Sequence, residues 1–282
     1  MKDVTVVITA FERPNKCLAC IESIRQFYPN IKILISDNGK RRDWFRSAIL
    51  NWHDCQYLKI PFDCGTSQAK NKAFDRIKTE YIVTCADDFI FTEKTKLENF
   101  KAVLEHIDDI GVVCGSLAEE KEAFGAILEV NWEKKYYLIG RIKNPDWQKI
   151  GGIRFAYADY AHLFGMLRNK PEFRFDPDLK IGIGHLDFML KLKLAKKWKL
   201  AFTPDVLVAR QKGKDTPSYC KYRSRREFSR LFYEKTGLRY GIIKHQAKVR
   251  DLKHGRFYHG TMPQINLYDY IELAKQVTQN KC

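Results

Sequence analysis

The sequence predicts an α/β fold, a mostly parallel, Rossmann-like sheet flanked by helices, on three observations. Val4–Ala10 reads Val-Thr-Val-Val-Ile-Thr-Ala, a nearly continuous β-branched run that suits a parallel strand covered on both faces. It is followed by turn chemistry, an apolar period of helical spacing and a second apolar run at residues 31–36, which together make a strand–loop–helix–strand unit. Residues 81–91 read Tyr-Ile-Val-Thr-Cys-Ala-Asp-Asp-Phe-Ile-Phe, a buried-strand pattern that ends on two adjacent carboxylates, Asp87 and Asp88.

The elements follow in order. After the first strand, Phe11-Glu12-Arg13-Pro14-Asn15 supplies turn and cap residues. A helix then places Cys17, Cys20, Ile21, Ile24 and Phe27 or Tyr28 on one face, and Pro29 stops it. The second strand ends at Asp37-Asn38-Gly39, and ligands in open α/β sheets bind at such carboxyl ends. Residues 40–54 read as a helix anchored by Trp44, Ile49 and Trp52, and residues 57–60 as a short strand. The Gly-Thr-Ser cluster at 65–67 opens a helix with Ala69, Ala73 and Ile77 inward, and Lys70 and Lys72 bring positive charge to its start. That segment is either an anion site or an ordinary surface. After the central strand, Thr95 and Glu98 have capping-box spacing for a helix with Leu97, Phe100, Leu104 and Ile107 inward.

Residues 111–116 continue as a strand, and the polar and aromatic stretch 119–152 is expected to contain a hairpin. Asp159 and His162 lie in an aromatic run, His162 reading as a satisfied or supporting histidine rather than a ligand. Residues 181–185 form a glycine-rich loop before a helix containing Asp187, and Val206-Leu207-Val208 is the last core strand. Beyond Arg210 the composition turns to Lys, Arg and Tyr. The chain is therefore divided into an α/β domain, residues 1–210, and a basic, mainly helical C-terminal extension, residues 211–282.

Composition narrows the function classes. With 282 residues, 45% hydrophobic and 13% aromatic, the chain can bury a sizeable core, which excludes disorder. No apolar run approaches the ~18 residues needed to span a bilayer, and residues 4–9 suit a first core strand better than a signal peptide. A cytoplasmic location, peripheral to a membrane at most, is the expectation. The eight cysteines are scattered and read as reduced thiols; Cys17 and Cys20 share a helical face with core isoleucines rather than forming half of a zinc site. A formal charge of +16 implies an anionic partner: a nucleotide, a phospholipid surface, a phosphorylated acceptor or nucleic acid.

Two adjacent carboxylates beside a buried strand repel each other and are costly to desolvate. A hard divalent cation, Mn²⁺ or Mg²⁺, would relieve both penalties; solvated turn aspartates are the competing reading.

The order of these elements resembles a family-2-type glycosyltransferase of the GT-A, nucleotide-sugar-binding fold. The nearest likeness is to the ganglioside-type β-1,4-N-acetylgalactosaminyltransferases. It rests on Ser23-Ile24-Arg25-Gln26-Phe27-Tyr28-Pro29, Asp87-Asp88-Phe89-Ile90-Phe91-Thr92, Phe175-Asp176-Pro177 and His185-Leu186-Asp187-Phe188, and it spans roughly residues 4–210. The resemblance implies that Asp37 reads the uracil or ribose, that Thr9, Ala10 and Phe11 lie along the nucleotide, and that Lys70 contacts it. It further implies that Asp87 and Asp88 form the metal-binding motif with Asp88 as direct ligand, that Asp187 is the general base, and that Asp159 lines the acceptor pocket. Three positions depart from the pattern: Ala86 stands for a first aspartate, Lys70 for an arginine, and Arg210 for a metal-binding histidine.

The expected activity is inverting, metal-assisted transfer from a UDP-sugar, a UDP-N-acetylhexosamine being one candidate, to a hydroxyl of a glycan or lipid-linked acceptor. Lys70 and Arg210 would add charge at the pyrophosphate, and the basic tail would approach an anionic membrane. A sugar nucleotidyltransferase would use the same acids but release pyrophosphate. A nucleic-acid-binding module would account for the charge but has no need of buried acids.

Overall fold

The computed structural model describes residues 1–259 apart from Ser224 and Ala247. Strand β1 (Val4–Ala10) is buried along its whole length, as its β-branched run requires. Helix α1 (Pro14–Phe27) starts on a proline, whose fixed φ suits a first helical turn. It buries Cys17, Cys20, Ile21 and Ile24. Strand β2 (Lys32–Asp37), helix α2 (Asp43–Leu50), strand β3 (Cys55–Lys59), helix α3 (Thr66–Phe74) and strand β4 (Tyr81–Ala86) follow. β1 pairs in parallel with both β2 and β4, and the register sets Ala10 opposite Asp37 and Thr9 opposite Ala86. Three strand ends are thereby aligned on one edge, with Asp87 and Asp88 immediately beyond it.

The chain continues through β5 (Phe89–Ile90), α4 (Leu97–His106), β6 (Ile110–Leu117), β7 (Gly125–Asn131), β8 (Tyr136–Arg141), β9 (Gln148–Ile150), β10 (Ile153–Ala158), β11 (Tyr160–Ala161), β12 (Gly165–Arg168), α5 (Gly184–Ala195) and β13 (Lys199–Arg210). The main sheet runs β3-β2-β1-β4-β12-β6-β13-β10-β9, with β5 paired to the end of β13. Its first four strands are parallel, but β12 is antiparallel to both β4 and β6, so the sheet is mixed. Gly165 permits that insertion: a Cβ there would stand 2.3 Å from the Val113 carbonyl oxygen. Val6 and Ile8 face one core and Val7 the other, which is the two-sided burial expected of this architecture.

Two local expectations fail for physical reasons. In α2 the buried anchors are Phe45 and Ile49, and Trp44, one residue out of phase, is 53% exposed. Thr95 and Glu98 do not cap α4: the Thr95 hydroxyl accepts from Thr92 N–H at 2.9 Å and donates to the Leu207 carbonyl at 2.6 Å, while Glu98 accepts from the Tyr28 hydroxyl.

The larger correction concerns the tail. After α6 (Pro217–Arg223) and α7 (Glu227–Thr236) come β14 (Tyr240–Ile243), β15 (Lys248–Asp251) and β16 (Arg256–His259). These strands complete a second sheet, β11-β7-β8-β14-β15-β16, built on the β7–β8 hairpin. β14 lies parallel to β8, and Phe228 and Phe232 are buried in a cluster with Tyr137, Ile139, Ile183 and Leu186. The described tail is thus part helix and part strand. Residues 260–282 of the expected extension lie outside the described residues.

Candidate active site

The loop after β1 builds the site's centre. Glu12 takes φ 53°, a left-handed conformation that is strained for glutamate. Its buried carboxylate is held by Lys40 N–H at 2.7 Å, by Arg42 and by the Ser218 hydroxyl at 2.9 Å. On either side of that turn sit Phe11 and Arg13. The Arg13 guanidinium is buried and ion-paired with Asp87; it also reaches Asp88 Oδ2 at 3.2 Å and Asp215 Oδ1 at 3.1 Å. The Tyr219 ring covers it at 3.9 Å. Burial raises the Asp87 pKa to about 6; Arg13 opposes that rise and the neighbouring Asp88 charge adds to it. The same pairing raises Arg13, overcoming the opposite effect of burial. Asp88 is the more open acid, with its side chain 22% exposed.

These groups lie in a cleft of ≈ 510 Å³ at the carboxyl edge of β1 and β4. Of the residues expected from sequence, Thr9, Phe11, Lys70, Asp87, Asp88 and Arg210 line it. The Thr9 hydroxyl is buried there with no partner among the described residues. Lys70 is half-buried, its ammonium 4.8 Å from the centre of the Phe175 ring. Burial, helped by the Arg223 charge, brings its pKa down to about 8. The hydroxyls at the start of α3 do not face an anion: Thr66 and Ser67 donate to the Lys180 and Leu179 carbonyls. Arg210 reaches the cleft because it pairs with Phe89 across the β5–β13 ladder, beside the contact from Gln211 N–H to the Asp88 carbonyl.

Four expected residues stand elsewhere. Ala10 is packed in the core, and its carbonyl accepts from Asn38 N–H. Asp37 is buried behind the cleft wall, accepting from Gly39 N–H at 2.8 Å and the Tyr57 hydroxyl at 2.6 Å, and its neighbour Asn38 lines the cleft instead. Asp159 is outside it, held by Lys193 at 2.7 Å and Leu128 N–H at 3.0 Å, beside a second cavity of ≈ 410 Å³. Asp187 is outside as well. Its side chain is 5% exposed and lies 2.7 Å from Lys191 Nζ, one turn along α5. His185 lines the cleft from the same helix start. Two residues on a helix point about 200° apart, so 185 and 187 do not share a face.

Sequence reasoning missed Arg13, Asp215, Tyr219 and Arg223. The last three line the cleft from the tail and are spaced by four, a one-face pattern that was available to be read. Tyr222 packs edge-on against Phe11 and Phe62, and Arg225 makes two 2.7 Å bonds to Asp63. The tail aromatics Tyr219, Tyr222, Phe228 and Phe232 pack within the protein rather than forming a free face for the anionic membrane expected of the basic tail. Among the described residues no helix is long and apolar enough to cross a membrane.

Among the described residues no three His, Cys, Asp or Glu side chains assemble into a metal cage. The donors fit a smaller share of the coordination shell. Asp88 uses Oδ2 on Arg13, and its Oδ1 has no hydrogen bond among the described residues. One carboxylate beside phosphate and water ligands is an ordinary arrangement for Mg²⁺-type cations.

A mixed α/β sheet with an acid pair and basic side chains at its carboxyl edge is the arrangement expected of the GT-A fold. The solved structures agree. Staphylococcus aureus TarS 1–349 in complex with UDP-GlcNAc superposes with a TM-score of 0.55 at 12% identity, covering 83% of this chain and 66% of that one. GalNAc-T7 with UDP, GalNAc and Mn²⁺ gives 0.56 at 14% identity, covering 73% and 43%. At these identities the likeness concerns the fold. The glycosyl transferase family 2 model matches residues 5–158, and the chain belongs to that family. Curated relatives include the β-1,4 N-acetylgalactosaminyltransferase 2 of Mus musculus, 32% identical over 45% of this chain, and the β-1,4 N-acetylgalactosaminyltransferase 1 of Rattus norvegicus, 34% identical over 41%. The aligned segments are 24% and 21% of those relatives' own lengths.

Proposed function

We propose that this chain is an inverting glycosyltransferase that moves a sugar, an N-acetylhexosamine being the first candidate, from its UDP conjugate to an acceptor hydroxyl of a glycan or glycolipid. One observation carries the reading. Lys70, Arg210 and Arg223 join Arg13 around the acid pair in a single cleft at the strand ends of a family 2 fold. A sugar diphosphate brings charge that increases on the oxygen leaving the anomeric carbon, and fixed cations there favour the transition state over the ground state. Lys70 and Arg223 face the site from α3 and α6, Arg210 from β13. Phe11 and Asn38 would flank the nucleoside, with Asp37 holding their loop through Gly39 and Tyr57. Arg13 keeps the buried Asp87 compensated and leaves Asp88 turned to the cleft. A divalent cation at Asp88, Mn²⁺ or Mg²⁺, would supply further positive charge to the diphosphate.

A thermal-shift panel of UDP, GDP and CMP, with and without Mn²⁺, tests the nucleotide. UDP should raise the midpoint most, and Mn²⁺ should enlarge that rise. Equal or absent shifts from all three would contradict the reading.

A further inference from the structure

The Arg13 guanidinium meets three carboxylates at once. Asp87 Oδ1 takes Nη2, while Nη1 is shared between Asp88 Oδ2 at 3.2 Å and Asp215 Oδ1 at 3.1 Å. The two contacts of Nη1 are of nearly equal length, so exchanging one for the other needs little movement. Asp215 is held in place from several sides. Lys16 Nζ, in the first turn of α1, lies 2.8 Å from the same Oδ1. The Gln211 side chain donates to the Lys16 carbonyl at 2.7 Å, and the Thr216 hydroxyl donates to the Glu12 carbonyl at 3.3 Å. The tail segment around Asp215 is thus laced to the turn that carries Arg13 and to the helix that follows it. The Arg13 side chain is only 7% exposed, whereas Asp88 and Asp215 are half-buried and line the cleft.

We infer that Asp215 is a positioning residue for the cation that accompanies the diphosphate: by taking Nη1 of Arg13, it frees Asp88 to hold that cation. The inference rests on the nucleotide-sugar reading above. A guanidinium this deep has to keep its counter-charges, because an uncompensated buried charge is costly. A divalent cation at Asp88 competes with Arg13 for the same carboxylate and repels the guanidinium. With Asp215 beside it, Arg13 stays paired through Asp87 and Asp215 while Asp88 turns to the cation. The charge count agrees: three carboxylates face two side-chain cations, Arg13 and Lys16, and leave the cluster negative. Without Asp215 the count is even, and the attraction for a divalent ion falls. Because Asp215 belongs to the tail, occupation of the cation site and seating of the tail favour each other.

The test reads cation binding rather than turnover. Mn²⁺ is titrated into the full chain with UDP present, free Mn²⁺ is counted by its electron paramagnetic resonance signal, and thermal melts check that each variant is folded. The set is wild type, Asp215→Asn, Arg13→Lys and the double variant. Lysine keeps the charge beside Asp87 but has no fork to share between two acids, so Arg13→Lys leaves no partner exchange for Asp215 to serve. Asp215→Asn should weaken Mn²⁺ binding by about tenfold in the wild-type background and by no more than about twofold in Arg13→Lys. An equal loss in both backgrounds would mean that Asp215 acts on the cation directly, and unchanged binding in Asp215→Asn that it does not act at all; either overturns the inference. A second measurement does not need Arg13→Lys to fold. In wild type, Mg²⁺ with UDP should move the Arg13 Nε–H resonance, and an unmoved signal while Mg²⁺ binds would overturn the partner exchange. Wild type that binds UDP with no gain from Mn²⁺ would overturn this inference and leave the nucleotide reading in place. Wild type that binds neither would overturn both.

Discussion

Arg13, on the turn after the first strand, is ion-paired with Asp87 at the end of the fourth, so the buried acid of the pair is compensated from within the chain. Burial nevertheless outweighs the pairing and holds Asp87 protonated up to about pH 6. A carboxyl whose folded pKa is raised binds its proton more tightly in the native state, so its contribution to stability is present at low pH and lost as pH rises through the folded pKa. Wild type should therefore lose stability relative to Asp87→Asn between about pH 4 and pH 6, with a flat difference on either side of that window. Paired thermal melts across pH check this; a difference that grows in favour of wild type over that window would refute it.

Lys70 couples nucleotide binding to pH. In the open cleft its ammonium titrates at about 8, and a bound diphosphate stabilises the charged form. UDP affinity should fall as pH rises through 8, with proton uptake on binding above that point. Calorimetry in buffers of different ionisation enthalpy measures the uptake. Lys70→Met should bind UDP more weakly and with no such uptake; an unchanged uptake in that variant assigns the proton elsewhere.

The described part of the tail packs into the body that carries the cleft. It contributes Asp215, Tyr219 and Arg223 to the cleft, Phe228 and Phe232 to a core, and β14 to the edge of β8. A chain ending at Arg210 should lose its cooperative unfolding transition, because β8 would present an open edge and the cluster around Tyr137 would be exposed. A cooperative melt and UDP binding in the 1–210 fragment would contradict this.

Asp187→Asn should leave turnover within about threefold of wild type, because the acid faces Lys191 rather than the cleft. Asp88→Asn should remove the Mn²⁺-dependent part of UDP binding. Parallel turnover and calorimetry on the two variants separate these roles, and a turnover collapse in Asp187→Asn would restore it as the base.

What was legible in the sequence was local. The β-branched runs of β1 and β4, the strand end at Asp37 and the adjacent Asp87 and Asp88 are all patterns within a few residues, and the sheet edge gathers them as expected. Arg210 was placed by resemblance, and the β5–β13 ladder brings it to the cleft. Partnerships across long separations carry no such signal. Arg13 and Asp87 are 74 residues apart. β8 and β14 pair across about 100 residues, which is why a basic composition shift at 211 read as an appendage. Asp187 shows a different limit, since a helix start two residues from the cleft-facing position reads the same in sequence, and only the helical phase separates them.

Glycosyl transfer in this cleft would break the bond between a sugar's anomeric carbon and the diphosphate. Incubation with UDP-N-acetylhexosamine, Mn²⁺ and a panel of glycoside acceptors, with UDP and pyrophosphate quantified together, tests it most directly. UDP should be released in step with a new glycosidic bond of inverted anomeric configuration, and no pyrophosphate should form. Pyrophosphate as the product, or a product of retained configuration, would contradict it.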